Sequence, residues 1–432
     1  MKPALFTLAF LTLAARALPA PDAVEITPDL LDRLQAEAED RSPALQAAGA
    51  RTESANAAVA AVRTWDDPTA SFGLWGSTSK GFESSQEGNL IYGIDQRLPL
   101  YGRPDLRRKV AAADAVRLQL AAEVETQKVR RDLRVALDNV ALAGTAAEVA
   151  EQDLAWIDTT AAEVDHRYRV AQASQVDWLK VQTERAMAAD DLQTRRRELE
   201  HGAFTLNRLL NRDLHSDWPR VAVPTLQPAV YYTPQLVSAA LDAEPQLKVL
   251  HQESAFAQAA ADLTRKQRLP EISVGLEARQ YSGDGGFREG TATVSFSLPW
   301  LNRGAYDKDW RRDQQLKRAS DFAAEDHALA VREELHHHVV NLDAARRRAV
   351  LYRDQLVPLA EQTLASAQSA WEQNRGPFQD ILDAHRLLLA DRLAAAQALV
   401  DQDAMLAEIS LLTGSRDTAA LVALAGTPPA EH

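Results

Sequence analysis

Hydrophobic and polar positions along the chain follow two rhythms. The first has a period of two. In Glu271 to Arg279, Ile272, Val274, Leu276 and Ala278 take one side, and Ser273, Gly275, Glu277 and Arg279 the other. In Thr291 to Leu298, Ala292, Val294, Phe296 and Leu298 stand opposite Thr291, Thr293, Ser295 and Ser297. Asn89 to Leu98 alternates through Leu90, Tyr92 and Ile94, and Thr69 to Ser77 does so less cleanly through Phe72, Leu74 and Trp75. A period of two predicts β-strands. The Gly- and Ser-rich stretches Gly76 to Gly88 and Ser282 to Gly290 predict the loops within each pair. Strands of about 9–11 residues with one apolar face suit a membrane barrel. Alternation alone suits a half-buried hairpin of a soluble domain equally well.

The second rhythm is helical and unusually sustained. Pro104 to Val170 holds one glycine, Gly144, and no further proline; Ala305 to Gln373 holds only Pro358. At about 1.5 Å per residue each span would reach roughly 100 Å, far beyond the common helix of about 11–12 residues. The apolar residues form narrow stripes padded with alanine, such as Leu133, Leu137 and Val140. Such stripes predict coiled-coil-like packing against neighbours on both sides. Charge runs such as Arg346-Arg347-Arg348 read as solvated faces.

These elements occur twice. Ser42-Pro43-Ala44-Leu45 returns as Glu244-Pro245-Gln246-Leu247, Pro68 as Pro270, Leu98-Pro99 as Leu298-Pro299, Gly102 as Gly304, and Asp177-Trp178-Leu179 as Asp380-Ile381-Leu382, all about 200–203 residues apart. The chain therefore divides into a first repeat over 21–214, a linker over 215–231 with Pro219, Pro224 and Pro228, a second repeat over 232–414, and a tail over 415–432. The first repeat is expected to hold strands at about 69–77 and 89–98, a long helix over 104–170 and a return helix over 176–211. The second is expected to hold strands at about 271–279 and 291–298, a long helix over 305–373 and a return helix over 378–413. The first twenty residues differ: Met1-Lys2, an apolar run from Ala4 to Ala15, then Ala15-Arg16-Ala17 read as a signal peptide over 1–20.

Composition narrows the function. Apolar residues at 46% and charged residues at 25% describe a folded protein. The net charge is -13 and no basic block occurs, which argues against nucleic acid as a partner. The absence of cysteine excludes disulfides, thiolate metal sites and cysteine nucleophiles. No GxSxG, HExxH or phosphate-cradling loop is present, so no enzyme and no cofactor is expected. Consecutive helical residues point about 100° apart, so His336-His337-His338 cannot all hold one ion, and no metal site is expected. After the first twenty residues no apolar run of 18 exists, so no membrane-spanning helix is expected.

Four strands cannot close a barrel, and open edges cannot face lipid. Three chains would supply twelve strands and a matching ring of helices. With that geometry, the sequence resembles the outer-membrane efflux (TolC) family over almost its whole length. The resemblance rests on Ser42-Pro43-Ala44-Leu45, Asp95-Gln96-Arg97-Leu98-Pro99-Leu100-Tyr101-Gly102, Pro270-Glu271-Ile272-Ser273-Val274-Gly275-Leu276, Ser297-Leu298-Pro299-Trp300-Leu301-Asn302-Arg303-Gly304 and Leu412-Thr413-Gly414. It is nearest to the outer-membrane component of heavy-metal efflux systems of the resistance–nodulation–division type.

The resemblance implies a mainly α chain with a small β part. It implies a homotrimer with a 12-stranded β-barrel in outer-membrane lipid and a helical tunnel in the periplasm. It also implies a periplasmic adaptor and an inner-membrane pump as partners, the duct itself being passive, with heavy-metal efflux, multidrug efflux and protein secretion as competing uses. The tips implied to contact the adaptor are Arg167, Tyr168, Val170, Ala171, Gln172, Ala173 and Ser174, with Asn374, Arg375, Gly376 and Pro377. Asp380 and Asp383 stand where the family carries paired ring aspartates, and three copies would set six carboxylates at the periplasmic mouth. Asp177 matches a lock position. Trp371 stands where a hydrogen-bonding tyrosine is common, without an arginine at Gly376 to meet it. A soluble periplasmic coiled-coil scaffold is the rival class; it would leave the duplicated, lipid-like strands without a purpose.

Overall fold

The computed structural model describes residues 23–75, 89–281, 285–415 and 418–425. The signal-peptide reading of 1–20 and the loop reading of 76–88 lie outside them. The first repeat opens with α1 (Pro28–Arg41) and α2 (Pro43–Ala61). Thr27 caps α1, its hydroxyl accepting the Leu30 N–H at 3.2 Å, and Pro28 occupies the first turn, where its missing N–H is not needed. Strands β1 (Thr69–Trp75) and β2 (Asn89–Arg97) follow, then α3 (Arg103–Arg169) and α4 (Gln175–Leu209). The second repeat runs in the same order: α5 (Pro234–Ala243), α6 (Pro245–Gln267), β3 (Ile272–Tyr281), β4 (Phe287–Phe296), α7 (Arg303–Leu351), α8 (Val357–Glu372) and α9 (Phe378–Thr413). Thr233 and Pro234 repeat the cap of α1, with Thr233 accepting from Leu236 at 3.2 Å.

Four details depart from expectation. β4 occupies 287–296 instead of 291–298. The polar run Arg288-Glu289-Gly290 conceals its start, although Glu289 pairs with Arg279 across an irregular register. The long helix expected over 305–373 is interrupted by a π-helical turn, Tyr352–Leu356, just before Pro358. A proline ring cannot accept a regular turn beneath it, and the wider turn makes room. Gly102 and Gly304 are not structural equivalents: Gly102 is the left-handed cap of α3, whereas Gly304 lies inside the first turn of α7. The tail over 415–432 contains a helix, α10 (Thr418–Ala425), whose Leu421 and Ala425 are fully buried.

The strands form one antiparallel sheet in the order β1-β2-β3-β4. The central pair joins the two repeats, with Tyr92 opposite Ala278 and Ile94 opposite Leu276. β1 and β4 are edges with no further strand among the described residues. One face gathers Phe72, Leu74, Ile94, Leu276, Val294 and Phe296, each more than half exposed. The other carries Ser71, Asp95, Ser273, Glu277 and Thr293. That polar side is crowded: a Cβ at Gly275 would stand 2.6 Å from Thr293 Oγ1 and 3.2 Å from Asp95 Oδ2. Arg103, buried at the start of α3, donates to the Lys266 carbonyl at 3.1 Å, the Leu269 carbonyl at 2.5 Å and Glu271 Oε1 at 2.8 Å. One side chain thus ties the first long helix to the root of β3.

Away from the sheet the helices share three cores. One joins α1, α3 and α4 around Leu133, Leu137 and Leu206. Its counterpart joins α5, α7, α9 and α10 around Leu335, Leu342 and Ile409. The third lies near the helical tips and joins both repeats through Ile157, Val164, Val181, Phe378 and Ile381.

Candidate gate and inter-repeat seam

The two helical hairpins, α3 with α4 and α8 with α9, end in tips of one backbone design. The Gln172 and Ala173 N–H groups donate to the Arg167 carbonyl at 2.7 and 3.2 Å; those of Arg375 and Gly376 donate to the Ala370 carbonyl at 2.8 and 3.2 Å. Ala171 and Asn374 occupy matching left-handed positions, with φ of 58° and 55°. Asparagine visits that region more readily than alanine. Tyr168, Val170, Ala171, Gln172, Ser174, Asn374, Arg375 and Pro377 are exposed; Ala173 and Gly376 are half-buried.

Arg167 behaves differently from the other tip residues. Its side chain is only 14% exposed and lies over the second hairpin. The guanidinium sits 3.8 Å from the centroid of the Trp371 ring, and Nη1 donates to the Trp371 carbonyl at 3.4 Å. Nε donates to Glu163 at 2.8 Å, which fixes the fork. Trp371 in turn packs against Phe378, with centroids 5.6 Å apart. Trp371 is therefore met by an arginine, supplied by the opposite tip, and the Arg167 side chain lies against the second hairpin.

Ser174 and Asp177 form a capping box at the start of α4. The Asp177 N–H donates to Ser174 Oγ at 3.1 Å, and the Ser174 hydroxyl and N–H donate to Asp177 Oδ2 at 2.7 and 3.3 Å. The Asp177 carboxylate is thereby engaged in capping the N-terminus of α4. Asp380 and Asp383 are both exposed in the first two turns of α9, on one face. Asp383 accepts from Gln379 at 2.9 Å and pairs with Arg386 at 3.4 Å. Arg386 also reaches Glu184 on α4, and Lys180 of α4 donates to Gln379 at 2.8 Å. Three side-chain links thus hold the two tips together: Arg167 with Trp371, Lys180 with Gln379, and Arg386 with Glu184.

Further from the tips, α3 and α9 form a polar seam. His385 stacks on Trp156 with ring centroids 3.6 Å apart, and its Nε2 lies 2.8 Å from Asp153 Oδ1. Arg134 donates to both oxygens of the buried Asp403, each at 2.7 Å. Arg131 donates to Glu408 at 2.7 Å. Asp138 is fully buried beside this group, and neither of its oxygens has a donor. Burial, then the Asp403 carboxylate, push its carboxyl up to about 9, with Arg134 pulling the other way. Burial and the neighbouring carboxylate thus favour the protonated form of Asp138 in the folded chain.

None of these seam residues stands out in sequence. Their charges look like those of any solvated helix face, and each partner lies far away, 269 residues in the case of Arg134 and Asp403. The duplication is the only signal that could have placed them, by aligning the two hairpins.

No protein-family model and no curated protein matches the chain. Solved structures do. The Campylobacter jejuni outer-membrane channel CmeC is 13% identical, with 96% of this chain and 94% of that one covered at a TM-score of 0.77. The outer-membrane channel OprN is 18% identical, with 90% of each chain covered at 0.76. CusC, a former of transmembrane channels, is 14% identical, with 89% and 92% covered at 0.77. Over the matched residues the fold of this chain is the fold of those channels: a long-helix α part joined to a small antiparallel sheet.

Proposed function

We propose that three copies of this chain form a passive exit duct of the outer membrane, extending into the periplasm. Substrate would reach it from an inner-membrane pump through a periplasmic adaptor. The observation that carries this reading is the sheet. A contiguous apolar face lies open, and among the described residues neither edge strand has a further partner. A soluble protein rarely leaves such a surface uncovered, and lipid does not tolerate open edges. Three four-stranded sheets joined edge to edge close a twelve-stranded barrel, which turns the apolar face to lipid and Ser273, Thr293 and Glu277 to the lumen.

The tips are the adaptor surface in this reading: exposed Tyr168, Val170, Ala171, Gln172, Ser174, Asn374, Arg375 and Pro377, with half-buried Ala173 and Gly376 between them. Arg167 and Trp371 form the latch between hairpins that must part when the mouth opens. A cation–π contact contributes about 0.5–2 kcal/mol, and the trimer holds three. Arg167→Ala is expected to raise the open fraction several-fold. It is read as new sensitivity of the cell to large antibiotics that the outer membrane excludes. Arg375→Ala, at the exposed tip, should leave that barrier intact; an unchanged barrier in Arg167→Ala would remove the latch.

The substrate class we infer is divalent metal cations. Asp380 and Asp383 from three chains place six carboxylates at the mouth, only partly offset by Arg386, and such a ring draws cations and resists anions. A deletion strain is expected to become hypersensitive to zinc, cobalt, cadmium, nickel or copper. The intact gene should restore resistance, and Asp380→Asn with Asp383→Asn only part of it. Sensitivity to dyes and detergents instead would make the duct a multidrug exit and overturn the metal reading.

A further inference from the structure

The seam between α3 and α9 has a counterpart that a single chain leaves open. Val129, Leu133, Leu137 and Val140 of α3 are buried in one core; Val331, Leu335, Val339 and Leu342 of α7, each 202 residues later, are buried in the other. Leu206 of α4 and Ile409 of α9, 203 residues apart, sit in the same two cores. In these registers Arg134 corresponds to His336, and Asp403 to Glu200. The surroundings agree. Arg134 lines a cavity with Ile26, just before α1, and His336 meets the ring of Tyr232, just before α5, with centroids 5.2 Å apart. Within one chain, however, α7 packs on α5, α6 and α9, while α4 packs chiefly on α3. His336 and Glu200 are both exposed. So are Val340, which answers to the buried Asp138, and Leu329 on the same helix.

We propose that α7 of one chain packs against α4 of a second copy as α3 packs against α9 within the chain, setting His336 against Glu200 of the partner subunit. The inference rests on the trimeric reading above. It adds a chemical difference between the two kinds of seam. Within a chain the pair is arginine with a carboxylate, charged at every physiological pH. Between chains it is histidine with a carboxylate, which attracts only when the imidazole holds a proton.

The other charges near this pair are known. On α7 they are Arg332, Glu333 and His337, the last bonded to Asn341 at 2.9 Å. His338 turns instead toward Glu408 of α9, and burial holds its imidazole below the ordinary range. Tyr232 faces His336 from the segment before α5. On the α4 side Arg196, Arg197 and His201 neighbour Glu200, and Arg196 donates to Glu151 of α3 at 3.4 Å.

A histidine that gains a carboxylate on assembly binds its proton more tightly when assembled. Association then takes up a proton. The seam is strongest in acid and weakens as pH rises through the imidazole range, between about pH 5 and 8.

The test is the dissociation rate of the full-length trimer in detergent at about pH 5.5 and about pH 8, for the natural chain, His336→Arg and Glu200→Gln. The natural trimer is expected to dissociate roughly tenfold faster at the higher pH. His336→Arg should be slow at both, and Glu200→Gln fast at both. Asp138 adds its own acid preference equally to all three, so the differences between variants carry the result. A trimer with the same pH response in all three overturns this pairing alone. A monomer at both pH values, in a detergent that preserves the fold, overturns the trimeric reading and this pairing together.

Discussion

Arg134→Ala is expected to destabilise the folded chain by about 3–5 kcal/mol, because it strands a buried charge. Arg134 and Asp403 are 14% and 8% exposed and share two hydrogen bonds. Removing the guanidinium leaves the Asp403 carboxylate beside the fully buried Asp138, without the cation that donates to both its oxygens. Denaturant or thermal unfolding of the purified protein at fixed pH checks the size. Asp138→Asn should act in the opposite direction. The Asp138 carboxyl is pushed up to about 9, well above the ordinary carboxylate range. Between the unfolded and folded values the folded chain holds a proton that the unfolded chain lacks. Stability therefore falls as pH rises through that window, at up to about 1.4 kcal/mol per pH unit. An asparagine can still donate to Asp403 and takes up no proton. Asp138→Asn should therefore gain over the natural chain near pH 8 and lose that advantage toward pH 4. A stability profile of unchanged slope would mean that Asp138 is not the neutral partner of Asp403.

The second large effect belongs to the sheet. Leu276 is 65% exposed at the middle of β3, between Ile94 and Ala292. On a lipid-facing barrel wall an arginine at the midplane costs about 2–4 kcal/mol, here in three copies at once. Leu276→Arg is expected to abolish heat-resistant trimers in the outer-membrane fraction. Ser295→Arg, on the opposite face of β4, should assemble at close to the natural level, since a lumen accepts a charge. Equal tolerance of the two would mean that the apolar face does not meet lipid, and the soluble scaffold would regain its place.

Much of the architecture is legible in the sequence because the elements are long and repeated. Alternation through Ile272, Val274, Leu276 and Ala278 marks β3, and a run with no proline after Pro104 and no glycine but Gly144 marks α3. What escapes has physical causes. Arg288 and Glu289 are polar on both faces of a strand end, so β4 reads four residues short at its start. Pro358 marks a break in the helix, but the π-helical turn beside it depends on how the ring is accommodated. At the tips, the matching backbones of Ala171 and Asn374 are set by carbonyl-directed hydrogen bonds that many sequences can make. The latch joins Arg167 to Trp371 across 204 residues, and no local pattern encodes such a meeting. Arg134, Asp138 and Asp403 look like solvated charges until α9 is laid against α3. Duplication is the one long-range signal available. It places His336 opposite Glu200 only after the structure supplies the registers of the two cores.

The most direct test of the duct is conductance of the purified full-length protein in a planar lipid bilayer. The account predicts a heat-resistant trimer that inserts and gives discrete, cation-selective steps, seldom open in the natural chain and open more often in Arg167→Ala. A water-soluble monomer that never inserts, or an inserted protein that passes no current even as Arg167→Ala, would contradict it.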